Sequence, residues 1–314
     1  MTGNNPQITG VSGGILTIGD QTIQGNADIG FDLIDIVTTV EARIIADSTS
    51  TIDPAGTDAW VNNGLLYARG GDIVCQADVI NNGVLQAEQG EQVRCNSINS
   101  SPGSLITGNG SVRSTSQEMT ISGTVAPGNS IGTLTFSSSS PKLVNNATLE
   151  IELSSTSGTP GVDWDLVNIG GTLQLVDDNL PSAVKIELVS LNANGEPGAL
   201  SSFDPQASFS IQIVDATEIE GFNIANFEVD TTDFANSFGG SFYVSHDEST
   251  DSLMLNYIPI RLGDVNGDGA VNLLDVSPFV QALSNGTFVD EADINRDGVV
   301  NLLDVGPFVS LLSN

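Results

Sequence analysis

Positive charge is what this sequence lacks most. Eight Lys and Arg stand against 39 Asp and Glu in 314 residues, a formal charge of −31 at pH 7. So few cations cannot build a surface that neutralises phosphates, which excludes nucleic acid as the partner. There is one histidine, His246, and only two cysteines, Cys75 and Cys95, too few soft donors for a zinc site. No run approaches the ~18–20 consecutive apolar residues of a membrane-spanning helix. The opening stretch, Met1 to Gly10, has neither the basic n-region nor the apolar h-region of a signal peptide. Either the signal peptide is absent from this chain or the protein is not exported by that route, and the extracellular look of the rest of the sequence favours the first. Apolar residues still make up 39 %, which excludes a wholly disordered chain. So large an acidic excess suits salt-rich surroundings or divalent cations.

What fills the first 260 residues is β signal. Glycine is abundant, aromatics are 5 %, and apolar residues alternate in short runs such as Gly14-Ile-Leu-Thr-Ile18 and Gly64-Leu-Leu-Tyr-Ala68. The motif Asn62-Asn63-Gly64-Leu-Leu-Tyr-Ala68 returns as Asn81-Asn82-Gly83-Val-Leu-Gln-Ala87, then loosely at Gly103 and Gly123, a period of 19 or 20. That period favours a coil of short parallel strands, with equivalent residues stacked from rung to rung, over an antiparallel sandwich. Cys75 and Cys95 alternate with Ile73 and Val93 and should both point inward on adjacent rungs. Two stacked apolar thiols are the first reading there, and a disulfide between rungs the second.

The segment Val125-Ala-Pro-Gly-Asn-Ser-Ile-Gly-Thr-Leu-Thr-Phe136, with Leu149–Leu153, Asp163–Val167 and Gly171–Leu173, resembles the autotransporter-associated β-strand repeats. The resemblance implies a right-handed parallel β-helix of the kind found in secreted and surface bacterial proteins, not an activity. Residues 1–176 are thus expected to form the β-helix. Residues 177–260 keep the β signal in longer strands, around Ala183–Val189, Phe209–Val214 and Leu253–Tyr257, as a sandwich-like cap or a continuation. A cap would cover the open sheet edge of the final rung.

Catalytic signatures are weak in this region. Gly128-Asn-Ser130-Ile-Gly132 fits the Gly-x-Ser-x-Gly pattern, but a β-reading stretch follows it where a nucleophile elbow needs a helix, and His246 sits in a polar segment read as a loop. Asp163 with Asp165, Asp177 with Asp178, and Asp32 with Asp35 could each supply the two carboxyls of a glycosidase, yet their spacing sets no distance. Asp177-Asp178 also read as turn formers. A lyase acting on uronates would want a basic cleft, and the basic residues are scattered. No catalytic residue is assigned.

From Gly263 onward the chain repeats itself at an offset of 29: Gly263-Asp-Val-Asn-Gly-Asp-Gly-Ala-Val-Asn-Leu-Leu-Asp275, then Ala292-Asp-Ile-Asn-Arg-Asp-Gly-Val-Val-Asn-Leu-Leu-Asp304. Each copy is an EF-hand-type calcium loop, with oxygen donors at positions 1, 3, 5, 9 and 12, a carbonyl at 7 and glycine at 6. The first loop offers Asp264, Asn266, Asp268, Asn272, Asp275 and the Ala270 carbonyl, and the second Asp293, Asn295, Asp297, Asn301, Asp304 and the Val299 carbonyl. Two Ca2+ ions are expected. Position 12 is Asp where an ordinary EF-hand has Glu, and no helix precedes either loop.

A calcium loop followed by a helix, duplicated over 262–314, resembles the type I dockerin. The resemblance implies a cohesin domain of a scaffold or surface protein as partner, and a place in an extracellular assembly directed at polysaccharide. Loop positions 10 and 11 carry partner recognition in that family; here they are Leu273-Leu274 and Leu302-Leu303, which are either an apolar docking surface or internal packing. Pro278 and Pro307 should mark where each helix begins. Phe279, Val280 and Leu283, repeated as Phe308, Val309 and Leu312, are read first as core. The near-identical halves could present either helix to one partner.

The whole reads as a mainly β protein: a right-handed parallel β-helix with a β-sandwich-like cap and a small α-helical dockerin. Its expected role is calcium-dependent attachment outside the cell, with the β-region as a binding or structural module. The alternative is a β-helical glycoside hydrolase or lyase carrying a dockerin. Two facing carboxylates in a cleft would favour the enzyme, stacked asparagines the structural module.

Overall fold

A computed structural model describes residues 6–56, 58–137, 139–144, 146–175 and 184–313. The Asp177-Asp178 turn lies outside the described residues. The chain divides into two compact units. One comprises Met1–Phe203, Ser210–Asn236 and Tyr243–Asn256, the other Asp204–Phe209, Ser237–Phe242 and Tyr257–Asn314.

The first unit is built on a parallel β-solenoid of about six turns. Each full turn contributes three short strands, one to each of three faces. The first face runs through Trp60–Asn62, Val79–Asn81, Ile98–Ser100, Glu118–Ile121 and Ser140–Leu143. The second runs through nine strands from Thr22–Gly25 to Phe227–Asp230. The third includes Ile73–Cys75, Gln92–Cys95, Ser111–Ser114 and Thr133–Phe136. The strand Leu166–Leu175 rounds a corner: its first half pairs with Thr133–Phe136 and its end with Ser140–Leu143. A Cβ on Gly171 would come within 2.4 Å of the Ser139 carbonyl oxygen, so the bend needs glycine there.

Alternation explains why these short segments hold. On the second face Ile44, Leu66, Leu85, Ile106, Val125, Leu149 and Ile186 pair in register, strand after strand, and all are buried. Each such side chain contributes roughly 1.5–3 kcal/mol on leaving water. No strand of three or four residues would persist without neighbours above and below to supply that burial.

The glycine repeat holds with one correction. A Cβ on Gly83 would lie 2.1 Å from the Gly64 carbonyl oxygen, so these two glycines stack at a corner too tight for a side chain. The pairing of Val84 with Leu105 puts Ser104, not Gly103, next in that column. Gly103 lies one residue earlier, at φ +83°, because this turn takes 21 residues where the one before it takes 19. Cys75 and Cys95 stand side by side in the core as free thiols, and their mutual hydrogen bond, with burial, pushes the Cys75 thiol up.

Residues after 183 continue the coil. Val184–Ser190 and Phe227–Asp230 extend the second face. Phe209–Glu220 pairs with Leu166–Leu175 and then with Ser252–Pro259, which pairs with Gly240–Asp247.

The second unit contains an aromatic cluster in which Tyr257 lies 5.7 Å from Phe209 and 4.9 Å from Phe242, ring centre to ring centre. It also contains two helices, α1 (Val276–Asn285) and α2 (Leu302–Leu311). Phe279 of α1 stacks on Phe308 of α2 with ring centres 4.1 Å apart, and Ala282, Ala292 and Val300 complete that core.

Candidate calcium and docking site

The loops that precede α1 and α2 fold alike, bond for bond. In the first, the Asp264 carboxylate accepts the amides of Asp268 (3.1 Å) and Gly269 (2.9 Å), and Asp275 accepts those of Asn266 (3.0 Å) and Asn272 (2.8 Å). In the second, Asp293 accepts from Asp297 (3.1 Å) and Gly298 (2.8 Å), and Asp304 from Asn295 (3.0 Å) and Asn301 (2.9 Å). Asn272 and Asn301 each accept an amide two residues on, from Leu274 and Leu303, as an N-cap residue does. The sharp turns fall at Gly269 and Gly298, at φ +85° and +84°. At loop position 4 the copies differ: Gly267 sits at φ +71°, and Arg296 is held at φ +59°, a region that strains a side-chain-bearing residue.

Asp264, Asp275, Asp293 and Asp304 are all buried, and none takes part in an ion pair among the described residues. Buried carboxylates without a cation are costly. Among the described residues no three His, Cys, Asp or Glu gather as a metal site by themselves. The donor set of each loop is mixed instead: carboxylates, two Asn side chains and a carbonyl. All of its donors are oxygen, as a hard cation requires, so the residues fit Ca2+ and do not fit zinc.

Around the loops lies an apolar surface. Leu273, Leu274, Leu302 and Leu303 are 79, 67, 78 and 68 % exposed, so internal packing is excluded for them. Of the six helix positions read as core, Phe279 and Phe308 are buried, and Leu283 and Leu312 pack against them; Val280 and Val309 are half exposed. The prolines do not play one role. Pro278 lies in the first turn of α1, but α2 begins at Leu302 and encloses Pro307.

The other candidates are absorbed by the fold. Ser130 sits in a turn between two strands, Thr124–Pro127 and Thr133–Phe136. His246 lies on the strand Gly240–Asp247, not in a loop, against Phe222. Asp165 is buried and accepts the amides of Gly132 (2.7 Å) and Glu152 (2.8 Å). Asp163 accepts that of Thr159, and Asp32 that of Gly56. Asp35, with Asp58, lines a cavity of about 460 Å³ beside the strands Ile34–Thr38 and Trp60–Asn62.

Two features escaped sequence reasoning. Arg261, just ahead of the first loop, donates to the Gly269 carbonyl. Arg94 and Arg113, scattered in the sequence, become neighbours on the third face; a 19-residue separation equal to the repeat was the available signal.

Residues 262–306 match the family model of the dockerin type I domain. The chain is thus a β-solenoid carrying a C-terminal dockerin type I module. Dockerin domains of this type bind calcium and imply a cohesin partner. No curated protein matches the chain.

Proposed function

We propose that this chain binds two Ca2+ ions and, in that state, docks onto a cohesin of an extracellular, polysaccharide-directed assembly. The ligands are Asp264, Asn266, Asp268, Asn272, Asp275 and the Ala270 carbonyl in the first loop. In the second they are Asp293, Asn295, Asp297, Asn301, Asp304 and the Val299 carbonyl. Leu273-Leu274 and Leu302-Leu303 contact the partner. The observation that carries this reading is the pair of matching loops whose buried carboxylates have no cation partner among the described residues. The β-solenoid serves as a binding or structural module, supported by buried Asn62, Asn81 and Ser100 hydrogen-bonded from rung to rung.

The test is binding of the full chain to a panel of cohesin domains, with calcium and with chelator. Binding should need calcium. Replacing Leu273-Leu274 or Leu302-Leu303 by alanine should leave most of the affinity, and replacing both pairs should abolish it. Calcium-independent binding, or none across the panel, would overturn docking; loss on changing one pair alone would overturn presentation of either helix. The enzymatic alternative rests on the cavity that Asp35 and Asp58 share, and new reducing ends released from a polysaccharide would establish it.

A further inference from the structure

The ion pairs among the described residues join Arg69 to Asp47, Lys185 to Glu187 and Asp230, and His246 to Asp251. Arg94 and Arg113 belong to none of them, in a chain with 39 carboxylates to choose from. Both strands alternate with Val93, Cys95, Val112 and Ser114 turned to the core, so the two arginines point outward. They are paired in register on adjacent parallel strands, roughly 4.8 Å apart along the solenoid. Like charges at directly opposed sheet positions are unfavourable. The Nε of Arg113 is also buried and has no hydrogen-bond partner among the described residues, an uncommon state for a charged donor.

An oxyanion would relieve both costs, because a guanidinium offers a planar fork that matches carboxylate or sulfate. The neighbouring outward positions decide what carries that anion. Gln92 and Ser111 lie two residues before the arginines on the same strands, hydrogen-bonded to each other at 3.0 Å; Asn96 and Thr115 lie two residues after and are exposed. The one carboxylate beside them, Asp72, is engaged by the Gln92 backbone amide at 2.9 Å, and the remaining neutral amides and hydroxyls suit a ligand rich in hydroxyl groups. The chain's charge of −31 repels a dense polyanion at long range but is screened beyond about 8 Å at physiological salt, so a sparsely charged chain is favoured.

We propose that Arg94 and Arg113 hold the anionic group of an acidic sugar unit, a uronate carboxylate or a sulfate ester, within a polysaccharide. The choice of a sugar polymer rests on the functional reading above; the anion site itself belongs to the solenoid and does not depend on docking.

The test is calorimetric titration of the full chain with an otherwise neutral oligosaccharide carrying a single uronate unit, one carrying a single sulfate ester, a neutral oligosaccharide of equal length and inorganic sulfate. Either acidic oligosaccharide should bind, and whichever does so identifies the source of the anion. Its affinity should fall at least about tenfold in Arg94→Gln and in Arg113→Gln, with the unfolding midpoint unchanged. Arg69→Gln, which removes an arginine already paired with Asp47, should bind as the parent does. Equal binding of the neutral oligosaccharide, unchanged affinity in both variants, or binding of inorganic sulfate alone would overturn the proposal. None of these outcomes bears on cohesin docking, which is read from its own calcium-dependent assay.

Discussion

Asp165 shows what a single carboxylate does in this fold. Buried in the solenoid, it ties the amides of Gly132 and Glu152 together across 33 and 13 residues of chain. Burial pushes its carboxyl up to about 8, against those two amides, which pull it down. The native state then binds the proton more tightly than an unfolded chain with a pKa near ~3.9 does. Its contribution to stability is full below about pH 4 and is lost as pH rises towards 8; burial of Glu150 and Glu152 acts in the same sense. Unfolding free energy, measured by denaturant titration, should therefore fall between pH 5 and pH 8. In Asp165→Asn the slope should be shallower and stability at pH 5 lower by about 1–3 kcal/mol, since an amide cannot accept both N–H groups. A slope that rises with pH would contradict this. The sequence offered Asp163 and Asp165 as an acid pair; that distant amides would claim Asp165 was not legible, because contacts across 13 and 33 residues leave no local pattern.

Within the strands, the asparagines act as a column. Asn62 donates to Asn81 at 2.9 Å, Asn81 to the Ser100 hydroxyl at 3.2 Å, and Ser100 meets Ser104 at 2.7 Å, all of them buried. Replacing Asn81 by leucine would leave Asn62 and Ser100 short of partners and should cost about 1–3 kcal/mol. Exposed Asn82 makes an equivalent bond to Asn63 at 3.0 Å, but water can replace it, so Asn82→Ala should change stability by no more than ~0.5 kcal/mol. Equal effects in chemical denaturation would show that the inner column carries no special weight. The strands themselves were legible, since alternation and the 19-residue repeat lie within short windows. The one-residue slip at Gly103 was not, because only the pairing of Val84 with Leu105 reveals it. Nor was the early start of α2, where the sequence suggested that Pro307 would set the boundary.

At the scale of the molecule, calcium should act on one unit and spare the other. Ligands that bind only the folded form stabilise it by roughly 2.7 kcal/mol at a concentration 100 times Kd, and the loops lie wholly in the second unit. Calorimetry of the full chain should show two ions bound, a transition that moves down on adding chelator, and another, from the solenoid, that stays. A single transition unmoved by chelator would argue against calcium in the loops. The module was the most legible part, because each loop's donors sit within 12 consecutive residues. The extent of its unit was not: Asp204–Phe209 and Ser237–Phe242 join it from positions far upstream.

Between Trp60, Val79 and Ile98 each turn takes 19 residues, although Ile73 and Val93 are 20 apart; a residue gained at one corner is removed at the next. Length in this architecture is therefore quantised. Duplicating 79–97 would extend the coil by one step of about 4.8 Å and lengthen the arginine row by one, while every inward residue kept its place. An insertion of odd size within a strand would turn the rest of that strand inside out, until a corner further on absorbed it. The reach of such a molecule can be changed by copying, and hardly in any other way.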